Sequence, residues 1–378
     1  MKFNISCNEA IIKEIESLKD FFLNGKSLKN CTLQNIDFSK SKFDWDNIEI
    51  DNTMFLGCTI SEANQLKLIS KSATIIPQPK NLPYNPFRSR MYNWQDLLKK
   101  APGYSINIDL VIYEHFFCSK FNPSINEALW QRIHDHAMDD ALRGLIEPNH
   151  KGETSKKIIG IMGGHSVLRT DPNFIKVAHT ARLLSSNGYF IASGGGPGIM
   201  EASNLGAYFG NYNKEELDDA LVLLEKSPHY NDDGYADAAL QVLDKYPNGN
   251  ENLAIPTWFY GHEPSNVFAN HIAKYFSNSI REDTLLAIST YGIIFAPGSA
   301  GTTQEIFMDA AQNHYCTFNF YSPMIFLGIE RYTKQTKIFE LITQLSEGME
   351  YGKLLHLTDE PEDVLEFIKG HPPIYIDS

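Results

Sequence analysis

Hydrophobic positions change their rhythm part-way along this chain. Leu28, Leu33, Phe38, Phe43 and Ile48 recur every five residues, and Phe55 and Ile60 resume that step after a slip of two. A five-residue step matches neither the 3.6-residue period of a helix nor the two-residue period of a strand. The positions two before the centres, Cys31, Ile36 and Ser41, are small or apolar, whereas Asp46 breaks the pattern. From Lys156 onward short apolar runs alternate with longer amphipathic ones. They predict strands from Ile158 to Met162, Tyr189 to Ser193, Leu253 to Pro256, Tyr291 to Phe295, Met324 to Gly328 and Leu354 to Leu357. Helices are predicted from Pro172 to Ser186 and from Pro361 to Lys369.

That second rhythm places the chain in the α/β class: a Rossmann-like, doubly wound, mainly parallel sheet with helices on both faces and ligands outside the carboxyl ends of its strands. The five-residue pattern resembles the pentapeptide-repeat family, whose central Leu or Phe residues stack inside a square right-handed β-helix, so a short β-helix is expected over residues 1–76. Such coils bury each rung against the next and need several rungs for stability. Residues 77–90, with four prolines, read as an extended connector. Asn122-Pro123 then opens a helix with Ile125, Leu129, Ile133, Ala137 and Leu142 along its apolar face. Its His134, Asp135, His136, Asp139 and Asp140 read as surface charge rather than a metal cluster. The expected organisation is a repeat-like segment 1–76, a connector and helical segment 77–150, and an α/β domain 151–378 interrupted by an insertion at 211–250.

Composition narrows the function classes. The 378 residues are 43% hydrophobic and 21% charged, ordinary for a globular chain. No apolar run reaches membrane-spanning length, and the start of the chain lacks a long apolar signal core. Cys7, Cys31, Cys58, Cys118 and Cys316 form no close metal-binding pair, so a reduced, cytoplasmic setting is expected. A net charge of −13 argues against nucleic acid as a partner. A small anion would have to be held by a few local donors.

Two glycine turns supply such donors. Ala296-Pro297-Gly298-Ser299-Ala300-Gly301-Thr302-Thr303-Gln304-Glu305 joins a buried strand to a helix, and Gly194-Gly195-Gly196-Pro197-Gly198-Ile199-Met200-Glu201 does the same after another strand. Free N–H groups and the positive end of a helix dipole suit a phosphate at such a turn. Gly163-Gly164-His165-Ser166 follows the first strand of the domain. Thr302-x-x-Glu305 is also a capping box, a purely structural use of Glu305. Glu201 reads equally as a dipole-compensating acid or as a partner for ribose hydroxyls, and Trp258, Phe259 and Tyr260 as core packing or as a stack for a base.

These residues resemble the LOG family, the phosphoribohydrolases that activate cytokinins, once labelled lysine decarboxylases, together with their bacterial nucleotide-monophosphate nucleosidase relatives. The family pattern PGGxGTxxE is matched from Pro297 to Glu305 with serine at its second glycine. The upstream arginine corresponds to Arg281, followed here by Glu282 where the family usually has lysine. GGGPGIMEA of the bacterial relatives is matched from Gly194 to Ala202.

The resemblance covers roughly residues 156–330. It implies hydrolysis of the N-glycosidic bond of nucleoside 5′-monophosphates, cytokinin ribotides among the candidates, to free base and ribose 5-phosphate, with no cofactor and no metal. It assigns catalysis to Glu305 and Arg281. Gly298, Ser299, Ala300, Gly301 and Thr302 would take the phosphate, and Gly195, Gly196, Gly198, Glu201, Gly164 and Ser166 would border the same cleft. It also implies a homodimer or larger homo-oligomer, and neither membrane nor nucleic acid as partner. The competing reading is a nucleotide-binding sensor that keeps the phosphate cradle without turnover. Pyridoxal-phosphate decarboxylation lacks a recognisable lysine site, and the glycine spacing departs from the dinucleotide fingerprint.

Overall fold

The computed structural model describes residues 10–23, 27–41, 43–101, 104–148 and 153–376, so Cys7 lies outside the described residues. The chain divides into two compact units, Met1–Arg90 with Phe121–Ala141, and Met91–Lys120 with Leu142–Ser378.

In the first unit the strands Ala10–Ile12, Cys31–Gln34, Met54–Leu56 and Thr74–Ile76 stack in parallel, and Leu28–Lys29 pairs in parallel with Ile50–Asp51. The register aligns Ile12, Leu33, Phe55 and Ile75 in one column. Each coil is closed by residues in the left-handed region: Asn30 (φ 52°) and Asn52 (φ 43°) at one corner, Asn35 (φ 57°) and Gly57 (φ 61°) at the next. Asparagine tolerates this conformation better than other side chains with a Cβ. The Asn52 amide Nδ2 donates to Asn30 Oδ1 at 2.7 Å across one coil of 22 residues.

Leu28, Leu33, Phe38, Phe55 and Ile60 are buried in the coil interior, while Phe43 and Ile48 only flank it. The buried series continues instead through Trp45 and Ile50. The two-residue slip therefore falls before Trp45, not after Ile48. An Asx turn accounts for it, since Asp44 Oδ1 accepts from the Asp46 N–H and Asp44 Oδ2 from Asn47 Nδ2. The proline-rich segment runs along the coils: Gln34 Nε2 donates to the Arg88 carbonyl at 2.8 Å, and Phe87 packs over Gly57.

The helix Ile125–Ile146 corrects one expectation. Ile125 is 87% exposed and Leu129 also faces outward, whereas His134 and Asp135 are buried together with Ala137 and Met138. The reading as surface charge fails at those two residues because the buried stripe is rotated toward them. His134 meets the Tyr84 ring edge-on at 5.6 Å, and burial holds its pKa below the usual histidine range, which favours the neutral ring.

The second unit is built on a seven-stranded, all-parallel sheet: β1 (Ile158–Met162), β2 (Phe190–Ser193), β3 (Leu253–Ala254), β4 (His271–Ile272), β5 (Ile293–Phe295), β6 (Met324–Leu327) and β7 (Leu355–Thr358). Their spatial order is β4-β3-β2-β1-β5-β6-β7, a Rossmann-like doubly wound arrangement whose direction of winding reverses between β1 and β5. β1, β2, β5 and β6 are buried along their whole length, which is why their sequences read as continuous apolar runs. The third predicted strand is shorter than expected, and β4, two residues long, is too short to show a period.

Helices α1 (Pro172–Ser186), α2 (Ile199–Tyr208), α3 (Lys214–Leu224), α4 (Tyr235–Lys245), α5 (Asn278–Ile288) and α6 (Ala300–Tyr315) follow in chain order. Asp171 caps α1 by accepting from the Asn173 N–H, with Pro172 in the first turn. Gly206 of α2 lets that helix press on α1, since a methyl group there would strike the Ala178 carbonyl. The expected insertion holds α3 and α4. Among the described residues no helix is long and apolar enough to cross a membrane.

Candidate functional site

Backbone hydrogen bonds lace three turns together at the carboxyl edge of the sheet. Ala296 N–H donates to the Met162 carbonyl at 2.9 Å, Gly164 N–H to the Pro297 carbonyl at 3.1 Å, and Ile199 N–H to the Gly164 carbonyl at 3.1 Å. The turns after β1, β2 and β5 thus form one rim at the reversal point of the sheet. Gly198, at φ 68°, sits where a methyl group would run into the carbonyl oxygens of Gly164 and His165. Glycine there allows this close approach.

A cavity of about 530 Å³ opens at the rim, within the usual span of small-molecule sites. One side is the start of α6. Ser299 is the N-cap residue, and Ser299, Ala300 and Gly301 are exposed and line the cavity with Thr302. The first bond back along the helix is from the Thr303 N–H to the Ser299 carbonyl at 3.1 Å, so the N–H groups ahead of it have no intrahelical carbonyl to meet. Gly298 makes room for the Thr302 hydroxyl, which a Cβ would strike, and does not itself line the cavity. Its carbonyl accepts from Arg331 Nη2.

Because Ser299 is the cap, Thr302 is already the third helical residue and Glu305 lies a turn further in. The capping-box reading of Glu305 therefore fails on position. Glu305 instead lines the cavity with its carboxyl mostly withdrawn from water, and Oε1 stands 3.6 Å from Arg281 Nη1. Burial pushes its pKa up to about 7; Arg281 pulls it down and Glu282 adds to the rise.

Arg281, buried on α5, is aimed by its Nε, which donates to the Ile255 carbonyl at 2.8 Å. Its far end occupies the space where a side chain at Gly194 would be, which is a reason for glycine there. Glu282 is buried as well. Its Oε2 accepts from Gln304 Nε2 at 2.9 Å, and its Oε1 is 4.0 Å from Arg281 Nη1. One guanidinium therefore stands between two carboxylates at the cavity wall.

Among the residues expected at the cleft, Gly164, Arg281, Ser299, Ala300, Gly301, Thr302 and Glu305 come together at the cavity. Gly195, Gly196 and Gly198 are buried beneath the rim, where a Cβ on Gly195 would meet Ala254 and Pro256, and one on Gly196 would meet Glu263. Ser166 is exposed and does not line the cavity. Glu201 is turned away into a buried pair: its Oε2 accepts from Arg169 Nε at 2.9 Å and from the Tyr235 hydroxyl at 2.6 Å. Arg169 also lies over the Tyr235 ring at 3.4 Å. Glu201 is not among the residues lining the cavity, and this arrangement ties α2 to α4 of the insertion.

Trp258 is likewise core, its Nε1 donating to Asp109 Oδ1 at 2.7 Å, while Lys274 Nζ donates to Asp109 Oδ2 at 2.8 Å. Of the aromatic trio only Tyr260 reaches the cavity. Tyr230, His262 and Glu263 line it too. No repeat or glycine signal pointed to them. Among the described residues no group of three or more His, Cys, Asp or Glu could hold a metal ion.

No protein-family model and no curated protein matches the sequence. Solved structures similar to it include the molybdenum cofactor binding protein from the phototrophic bacterium Rippkaea orientalis, at 18% identity over 57% of this chain and 96% of that one, with a TM-score of 0.37. The Moco carrier protein from Chlamydomonas reinhardtii shares 16% identity over 57% of this chain and 96% of that one, with a TM-score of 0.36.

Proposed function

We propose that the chain hydrolyses the N-glycosidic bond of a nucleoside 5′-monophosphate to free base and ribose 5-phosphate. The observation that carries this reading is the placement of Glu305, an acid with pKa about 7, in the same cavity as the open start of α6. A phosphate seated on the N–H groups of Ser299 to Thr302 would be matched by backbone donors and by the helix dipole.

Cleavage of the glycosidic bond builds positive charge on the sugar, and an ionised carboxylate beside it stabilises that charge more than the ground state. A pKa close to the working pH also suits a base that orients water and takes its proton. Arg281 keeps part of the Glu305 population ionised despite burial and offers a fixed cation to the sugar phosphate or the departing base. The step balances as nucleotide plus water giving protonated base plus ribose 5-phosphate, the water oxygen bonding to the sugar carbon as the bond electrons leave with the base.

The test is incubation of the full chain with AMP, GMP, CMP and UMP and measurement of ribose 5-phosphate. Release from at least one supports hydrolysis. Nucleotide binding without release would transfer the reading to a sensor, in which the Arg281 charge is held by Glu282 rather than spent on a substrate.

A further inference from the structure

The cavity has a wall that the phosphate and the acid leave unused. The segment after β3 and the insertion contribute Tyr260 and Tyr230 to its lining, together with Thr257, His262 and Glu263. Tyr260 lines the cavity and is 68% exposed. Exposed as it is, it is held in place. Its hydroxyl accepts from Asn278 Nδ2 at 2.9 Å, and its ring meets Phe259 edge-on at 5.4 Å. Phe259 is in turn backed by Lys120, whose Nζ lies 4.1 Å from the ring centre and donates to the Phe259 carbonyl at 2.6 Å.

Tyr230 is supported in a similar way, stacked on His229 with centroids 4.4 Å apart. It lies between α3 and α4, on an insertion that the buried Arg169–Glu201–Tyr235 group fastens to α2. Two supported aromatic side chains from separate segments therefore line one cavity.

We infer that Tyr260 and Tyr230 are the stacking platform for the nucleobase, so that the insertion contributes directly to substrate binding. This rests on the hydrolase reading for its ligand. Aromatic faces bind every base, because each base has a π-face, and discriminate weakly between bases. The site would accordingly accept purine and pyrimidine nucleotides alike, with purines favoured by their larger ring area.

The test compares Tyr260→Ala, Tyr260→Phe, Tyr260→Trp and Tyr230→Ala in the full chain. It measures KM for GMP and CMP, inhibition by ribose 5-phosphate, and calorimetric binding of all three compounds. Each alanine variant is expected to raise KM for both nucleotides roughly tenfold to a hundredfold. Inhibition by ribose 5-phosphate, which has no base, should stay within about twofold, and phenylalanine or tryptophan should restore nucleotide affinity.

Unchanged KM in both alanine variants would overturn the inference, as would an equal loss of ribose 5-phosphate binding. Should the wild-type chain bind nucleotides more tightly than ribose 5-phosphate without cleaving them, and Tyr260→Ala abolish that difference, the hydrolase reading falls and the stacking platform stands.

Discussion

Arg281 Nη1 lies 3.6 Å from Glu305 Oε1, close enough to bias the acid's charge yet longer than a tight ion pair. The two side chains come from different helices, and Glu282 competes for the same guanidinium. The site is therefore an acid balanced between burial and one shared cation.

Replacing Glu305 with Gln keeps the shape and one acceptor oxygen while removing the charge. Nucleotide affinity should change little, and turnover should fall roughly a hundredfold to a thousandfold, as for loss of one transition-state electrostatic partner. Calorimetric binding together with ribose 5-phosphate release checks this. Full activity in the variant would remove Glu305 from the chemistry.

The acid's titration sets a pH dependence. With a pKa about 7 and the ionised form active, turnover should rise as pH increases through neutrality. Because Glu282 adds to the elevation, Glu282→Gln should move this limb to lower pH. A pH–rate profile of wild type and variant decides it, and a limb that stays in place would detach Glu282 from the titration.

Stability carries the opposite sign. Glu305 binds a proton more readily folded than unfolded, so its favourable contribution is present below the ordinary carboxylate range and is lost as pH rises through about 7. Glu305→Gln should thus be more stable than wild type at pH 8, by about 3 kcal/mol, and comparable to it near pH 4. Urea midpoints at the two pH values measure this.

Arg169→Met would leave Glu201 buried without its cation. Breaking such a pair costs about 3–5 kcal/mol, so denaturant midpoints should drop sharply. Any loss of turnover should follow loosening of the insertion that carries Tyr230 rather than loss of a ribose contact. A variant as stable as wild type would contradict the burial of this pair.

Six of the seven sheet strands and the rim at their carboxyl ends were legible from the apolar runs and glycine turns, because buried parallel strands read as apolar runs, whereas the two-residue β4 and the spatial order of the strands were not. Positions set by tertiary packing were not. Glu201 follows a glycine turn just as a ligand-binding acid would, and only the approach of Arg169, from another segment, turns it inward. Thr302 and Glu305 have capping-box spacing, yet the helix begins at Ala300 and leaves that spacing without a role at the terminus. Tyr230 gave no signal because its neighbours in sequence are ordinary loop residues. In the coils the period was visible, but the place of the slip depended on whether Asp44 turned the chain, a local choice that side-chain hydrophobicity does not record.

The meeting of β1 and β5 has a consequence for the order in which this protein becomes competent. The strands are neighbours in the sheet, but β2, β3 and β4 with their helices must all be synthesised between them. A nascent chain that has emerged only through β4 owns the Gly164 lip and lacks both the α6 amides and Glu305. Ligand capture therefore arrives late, at the moment the second half of the sheet docks on the first, and a nucleotide would reward completion of that docking rather than any earlier stage.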